Sequence, residues 1–262
     1  MINYLIILEY DSSNYHGWQI QNNFSVLNNN NIELKTISGE VLRAIKKVTG
    51  ADTELFVSGR TDAGVHALNQ VANFKLPFLL NLVQLKSSLN GVLPQNDISI
   101  KGVELVHNSF HATFDTVSKT YLYKLNNGFK SALLSKYSWY IKNNLNFGLM
   151  EQASKLFVGN YNFINFAKSD KRKCIEDYFR KITEIKIQKK NYGFDIYMTG
   201  EGFLRHMVRR IIGAIVLCGT GKINIERINE LLNTGKTASN IIKAPPEGLF
   251  LYSIKYKHKF FC

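Results

Sequence analysis

Cysteine is scarce in this 262-residue sequence, and its three cysteines form no recognisable pair. Cys174, Cys218 and Cys262 are odd in number, lie far apart and include no CxxC motif. This spacing argues against both a disulfide framework and a zinc ribbon. The sequence therefore predicts a protein of a reducing compartment, which we expect to be cytoplasmic. Because His, Asp and Cys show no metal-ligand spacing, we also expect no bound metal.

Long hydrophobic runs are also missing. The longest apolar stretch, IIGAIVLC at 211–218, is far shorter than the roughly 20 residues that a membrane-spanning helix needs. The N-terminal stretch MINYLIILEYDSS has no basic region and meets Glu9 and Asp11 early, so it is typical of a strand rather than of a signal peptide. We expect neither a membrane span nor a leader.

Acidic residues are few relative to basic ones. The chain has 20 Asp and Glu against 33 Lys and Arg, which gives a formal net charge of +13. Such an excess favours a polyanionic partner, either nucleic acid or a membrane surface, although a basic protein with neither partner stays open. The basic residues are scattered through periodic segments, which favours a folded basic face over a disordered arm.

Hydrophobic residues make up 45% of the chain, enough to build a core, and their spacing divides it into strands and helices. In the first half, apolar residues at alternating positions predict strands near 2–10, 54–58, 65–76 and 97–106. Apolar residues spaced three to four positions apart predict helices from Ile37 to Val48 and from Phe78 to Leu89. The second half predicts strands near 119–127, 137–142, 181–188, 192–199 and 249–256. Its helices are predicted near 147–157, 203–217 and 224–233.

This order predicts an α+β fold of two similar halves, 1–115 and 116–262. Each half is expected to be a mainly antiparallel sheet with helices on one face, and the halves to join around a central basic cleft. The Asn-rich stretch QNNFSVLNNNNIELK at 21–35 lacks periodicity and is expected to be a surface loop or a partly disordered insertion.

The segment VSGRTDAGVHAL at 57–68 places Asp62 in a polar bend between two predicted strands. Asp and Gly are ordinary turn residues, so the bend needs no function to explain it. Alternatively, the bend presents the Asp62 carboxylate to a substrate, and Arg60 holds its charge.

Several sequence blocks, in their order along the chain, resemble those of the tRNA pseudouridine synthases of the TruA type. They are LEYDSSNYHGWQIQ, SGRTDAGVHA, NGVLPQNDI, SFHATF, KTYLYKL, GFLRHMVRRIIGAI and APPEGLFL, and the resemblance covers nearly the whole chain. The resemblance implies the pseudouridine synthase fold and an isomerase that detaches uracil N1 from ribose, turns the base and rejoins it through C5, with no cofactor. It also implies that Asp62 is the catalytic carboxylate, and that Arg60 and Arg209 keep it ionised or attract phosphate.

The same resemblance makes Tyr121 the active-site tyrosine, which would stack on a flipped-out uridine and whose hydroxyl could help to remove the C5 proton. Leu249 would line the base pocket, although the apolar periodicity of its strand alone makes it a core residue. Tyr123 is expected to be ordinary packing on the opposite face of the strand. His66 is expected to be structural or to contact RNA.

A basic stripe is predicted on the helix near 203–217, where Arg205 and Arg209 share a face and His206 and Arg210 lie beside them. These side chains are expected to contact RNA, with a solvated helix face as the alternative for Arg205 and Arg210. The cluster KSDKRK at 168–173 is a second basic candidate.

The implied substrate is the anticodon stem-loop of tRNA at nucleotides 38, 39 and 40, and the resemblance also implies a homodimer. A tRNA-binding protein without chemistry would explain the charge and fold equally well, and a membrane-surface protein fits less well. The chain departs from the family at Ser12, Ile20 and Thr113, and LPQND is one residue longer than usual. These departures bear on the contacts with RNA rather than on Asp62.

Overall fold

A computed structural model describes most of the chain, namely residues 1–20, 34–168, 178–234 and 241–257. Most of the Asn-rich stretch lies outside these residues, and so does the KSDKRK cluster beyond Lys168. In chain order the described residues form β1 (Ile2–Tyr10), α1 (Ile37–Thr49), β2 (Phe56–Val57), β3 (His66–Leu76), α2 (Leu82–Val92), β4 (Ile98–Val106), β5 (Thr116–Asn126), β6 (Trp139–Tyr140), α3 (Phe147–Leu156), β7 (Gly159–Asn162), β8 (Phe179–Lys190), β9 (Gly193–Gly200), α4 (Met207–Gly219), α5 (Ile225–Asn233) and β10 (Leu249–Tyr256).

The chain divides into two compact units. One contains Met1–Val117 together with the chain from Leu251 onward, and the other contains Ser118–Phe250. The expected division at 115 and 116 differs from this at the end of the chain, because β10 is a neighbour of β3 and its residues from Leu251 onward belong with the first unit.

The first unit is built on a sheet with the strand order β4-β1-β3-β10, and β2 pairs with β3. Strand β1 runs antiparallel to both β3 and β4. Helix α1 begins where the Thr36 side chain accepts a hydrogen bond from the Gly39 N–H, and its apolar stripe is buried. Helix α2 begins later than the predicted Phe78, because the Asn81 side chain caps it at Val83 and Gln84.

The second unit has the strand order β5-β9-β8-β7, with β6 parallel to β5. Helix α4 is buried along nearly its whole length, and α3 packs against it. A Cβ on Gly213 of α4 would collide with the backbone carbonyl of Ile242, so this glycine allows close packing. The mixed α+β class predicted from the sequence is confirmed.

Two predictions in the second unit need correction. Strand β7 was missed, because its sequence GNYN has no apolar alternation; it pairs with β8 and lies at the end of the strand order. The helix predicted from 203 begins at Met207 instead, since His206 adopts a left-handed backbone with φ 66° that cannot continue a helix. Within the described ranges, no helix is long and apolar enough to cross a membrane.

Candidate active site

Asp62 lies in a tight turn between β2 and β3, as the sequence predicted. The Val65 N–H donates to the Asp62 carbonyl at 3.1 Å, and Gly64 takes φ 75°, a conformation that favours glycine. The Asp62 residue is half-buried, while its neighbour Thr61 is buried. The turn thus holds a carboxylate at the boundary between the core and solvent.

The backbone of this turn rests on the segment that follows β1. The Trp18 N–H donates to the Thr61 carbonyl at 3.2 Å. Gly17 has φ 87°, and a Cβ built on it would lie 2.8 Å from the Thr61 oxygen and 2.9 Å from the Ala63 nitrogen. No side chain fits there without moving the backbone on either side of Asp62, so Gly17 is needed for the close approach.

Buried polar side chains also hold the turn. The Tyr10 hydroxyl is 2.8 Å from Thr61 Oγ1, and the Gln70 amide donates to the Gly59 carbonyl at 2.9 Å and to the Tyr10 hydroxyl at 3.3 Å. Burial raises the pKa of Tyr10 to about 12, so its hydroxyl keeps its proton at neutral pH. The sequence interpretation missed these residues, because their contacts join segments far apart in the chain.

His66 is buried directly after the turn, with 2% of its surface exposed. Its Nδ1 accepts the Ser12 N–H at 3.2 Å and lies 3.1 Å from Asp11 Oδ1. These contacts support the structural alternative for His66. Among the described residues, no group of His, Cys, Asp and Glu could hold a metal ion.

Arg60 lies two positions before Asp62 in the same turn. The Arg60 residue is exposed, whereas Asp62 is half-buried. Arg60 is therefore available to solvent and to a ligand.

Tyr121 lies on β5 in the second unit and is 8% exposed. Its ring meets that of Phe203 edge to face, with centroids 5.1 Å apart and an interplanar angle of 87°. Tyr123 is fully buried and donates its hydroxyl to the Pro245 carbonyl at 2.9 Å, which confirms that it is packing. The expectation of opposite faces is wrong, because positions two apart on a strand share a face.

Lys119 is a residue that the sequence interpretation did not single out. It lies two positions before Tyr121, so both point to the same face of β5. Desolvation by burial lowers the pKa of Lys119 from 10.5 to about 8. Its position two residues before the candidate tyrosine was the sequence signal that could have singled it out.

Arg209 and Leu249 are both buried, at 6% and 5% exposure. Arg209 Nε donates to the Ala244 carbonyl at 2.7 Å, and the Ala244 N–H donates back to the Arg209 carbonyl at 3.0 Å. This pair of bonds attaches α4 to the segment that leads into Leu249. A Cβ on Gly248 would lie 2.8 Å from the Tyr123 ring, so this segment also packs closely on β5.

The predicted basic stripe is not present on α4. Arg205 is exposed but precedes the helix, His206 is half-buried at its N-cap position, and Arg209 is buried rather than solvated. Arg205 and Arg209 therefore do not share a helical face. Arg210 is half-buried, and its Nε has no hydrogen-bond partner among the described residues.

Comparisons with known proteins decide the family. A model of the tRNA pseudouridine synthase family matches residues 153–257. The tRNA pseudouridine synthase A 2 of Bacillus thuringiensis subsp. konkukian (strain 97-27) is 37% identical over 259 residues, which covers 98% of this chain and 100% of that protein. The tRNA pseudouridine synthase A of Thermoanaerobacter sp. (strain X514) is also 37% identical, over 257 residues with the same coverage.

The chain belongs to the tRNA pseudouridine synthase A family. It is thus an isomerase of the class that the motif blocks indicated, and that prediction is confirmed. The aligned region shared with the tRNA pseudouridine synthase A proteins spans 98% of the chain and so contains the Asp62 turn and the Tyr121 strand. The region matched by the family model is shorter: it contains Arg209 and Leu249 but not Asp62.

Solved structures also match the chain. One of them is titled "Crystal Structure of a Cbf5-Nop10-Gar1 Complex", with a TM-score of 0.34 and 14% identity over 70% of this chain and 41% of that one. The assignment to the tRNA pseudouridine synthase A family rests on the sequence relatives and not on this match.

Proposed function

We propose that this protein converts uridine to pseudouridine in the anticodon stem-loop of tRNA, at nucleotides 38, 39 and 40, with Asp62 as the catalytic carboxylate. The observation that carries the proposal is the fixed, half-buried Asp62 turn in a chain that matches tRNA pseudouridine synthase A proteins over 98% of its length. A carboxylate beside the sugar and base can act as a nucleophile or as a base, and the reaction needs no external energy or cofactor.

Tyr121 and Leu249 are proposed to receive the flipped-out uridine. The Tyr121 ring is braced by Phe203, so it offers a fixed aromatic surface for a base, and its hydroxyl is proposed to help remove the C5 proton. Leu249 lies at the start of β10 and is proposed to wall the base pocket.

The basic residues are proposed to act in two ways. Arg60, beside Asp62 in the turn, is proposed to act with its carboxylate, and buried Arg209 and exposed Arg205 are proposed to bind phosphates. His206, at the N-cap of α4, is proposed as a further RNA contact. The net charge of +13 supports a phosphate-dominated interface, and we propose that the protein works in the cytoplasm.

We also propose a homodimer, by family resemblance. Sedimentation at micromolar protein measures the assembly directly, and a monomer alone at that concentration would remove this part of the proposal.

The experiment that tests the function maps pseudouridine in tRNA from cells with and without this protein. We expect pseudouridine at nucleotides 38 to 40 to disappear without it and to return with the wild-type gene. A tRNA-binding protein without chemistry is the competing function, and an unchanged map together with tight tRNA binding would favour it.

A further inference from the structure

The side chains around the Asp62 turn form a continuous chain of hydrogen bonds. The Gln70 amide nitrogen donates both to the Gly59 carbonyl and to the Tyr10 hydroxyl, at 2.9 and 3.3 Å. The Tyr10 hydroxyl oxygen also lies 2.8 Å from Thr61 Oγ1, and either of these two hydroxyls can donate. Gln70 is 0% exposed and Tyr10 3%, so no solvent is available to replace these bonds.

The chain of bonds holds the residues that lead into Asp62. Gly59 and Thr61 lie on either side of Arg60, and Thr61 is bonded directly to Asp62 in the sequence. The anchors come from β1 and β3, which are paired antiparallel, with Leu8 opposite Gln70 and Tyr10 opposite Ala67. Through these side chains the turn is attached to two neighbouring strands of one sheet, in addition to its backbone contact with the loop at Gly17 and Trp18.

We propose that Tyr10, Gln70 and Thr61 are positioning residues that fix the direction of the Asp62 carboxylate, a role that rests on the proposed function of Asp62. None of the three needs to touch the substrate. Each acts by limiting rotation of the backbone at Thr61, because a carboxylate that attacks a reacting atom must be held in a near-attack geometry.

The test is a double-mutant cycle between Tyr10 and Thr61. Tyr10→Phe keeps the ring that packs beside Trp18 and removes only the hydroxyl, whereas Thr61→Val keeps the shape and removes the Thr61 hydroxyl. Each single variant is expected to lower the single-turnover rate by between about 10-fold and 100-fold, since misplacements of about 1 Å have effects of that size. The tRNA dissociation constant should stay within about twofold of wild type, because in the positioning role the interface with RNA is unchanged.

The two changes are expected to couple, because they remove the same bond. The double variant should therefore be no slower than the slower single variant, and Thr61→Ser, which keeps the hydroxyl, should restore most of the rate. A double variant whose rate falls by the product of the two single effects would overturn the proposal. So would an equal loss in Thr61→Ser and Thr61→Val.

Tyr4→Phe is the matched control. Tyr4 is also a fully buried tyrosine of β1, but its hydroxyl donates to the Phe78 carbonyl at 3.0 Å and accepts the Leu80 N–H at 2.8 Å, away from the turn. The Tyr4→Phe variant should lower the thermal midpoint of unfolding as Tyr10→Phe does, and it should leave the single-turnover rate unchanged. If Tyr10→Phe is no slower than Tyr4→Phe, the positioning role is wrong.

Failure of the proposed function would look different. Turnover by Asp62→Asn would remove Asp62 as the catalytic group whatever the cycle shows. An inactive Asp62→Asn beside an uncoupled cycle would leave the function in place and remove only the positioning role.

Discussion

The Asp62 turn and the region around Tyr121 and Arg209 are held by different kinds of contact. The turn depends on hydrogen bonds with the Tyr10 and Gln70 side chains and on the close contact of Gly17 with its backbone. Tyr121 is held by strand pairing and by the Phe203 ring, and Arg209 lies in a helix that is buried almost throughout. Directed bonds fix orientation, whereas apolar burial supplies most of the stability.

This difference predicts two kinds of variant. Changes beneath the turn should reduce the rate by more than their effect on stability explains. Changes that remove a packing contact or a hydrogen bond around Arg209 should reduce both together, because those groups are also part of the core. Tyr121→Phe keeps the packed ring, so it should reduce the rate alone. The following variants test that contrast from the largest expected effect to the smallest.

Tyr121→Phe should have the largest effect on a single step. The ring still packs on Phe203 and can still stack on a base, a contact worth about 1–3 kcal/mol, so tRNA affinity and stability should hold. Loss of the hydroxyl should slow release of the C5 proton by about 10²–10⁴-fold if that group acts as a general base. Single-turnover release of tritium from C5-labelled uridine in tRNA measures this step.

Tyr121→Leu is the companion variant, and it should weaken docking of the base as well as every later step. A wild-type rate in Tyr121→Phe would rule out the proton role. A wild-type rate in Tyr121→Leu would show that another residue receives the base.

Gly17→Ala should lower the turnover rate by about 100-fold, because the new methyl displaces the backbone on both sides of Asp62. It should also cost more than about 1 kcal/mol of unfolding free energy, since φ 87° is strained for alanine. Gly91→Ala is the control: it lies in α2, a Cβ there meets nothing within 4 Å, and it should leave the rate unchanged. Equal rates for the two variants would argue that the turn tolerates displacement.

Arg209→Met should lower the free energy of unfolding by about 1–3 kcal/mol, since it leaves the buried Ala244 carbonyl without the Nε donor. The rate should fall together with stability, in contrast to the turn variants. Chemical denaturation and turnover measured on the same preparation test this, and an inactive variant with wild-type stability would contradict the contrast.

Lys119→Met should have the smallest effect, and it should be visible mainly as pH dependence. The folded pKa of Lys119 is lowered to about 8, so between pH 8 and its ordinary value of 10.5 the unfolded chain binds more protons than the folded one. The unfavourable contribution of Lys119 is thus complete below pH 8 and is lost as pH rises. Wild type should gain stability relative to Lys119→Met between pH 8 and 10, and a constant difference would contradict the assignment.

Much of the fold could be predicted from the sequence because apolar spacing reports local structure. The stripe of Ile37, Val41 and Ile45 marks α1, and alternation marks β1 and β3. The start of α4 could not be predicted in this way, since the apolar spacing continues through Phe203 while the backbone turns left-handed at His206.

The candidate site was predicted only in part. The Asp62 turn follows from its motif, but the bond from Tyr10 to Thr61 joins residues 51 apart, and no local pattern reports such a contact. Thr113 was noted only as a departure from the family, whereas its hydroxyl donates to the Val57 carbonyl at 2.6 Å and fixes the strand before the turn.

The most direct test of the account is turnover by Asp62→Asn on a tRNA with uridine at nucleotides 38 to 40. This change removes the charge of the carboxylate and nearly preserves its volume, so tRNA binding and the thermal midpoint should stay close to wild type. The account predicts no pseudouridine in single-turnover reactions at enzyme excess. Pseudouridine formed by the purified variant at a rate near that of wild type would contradict it.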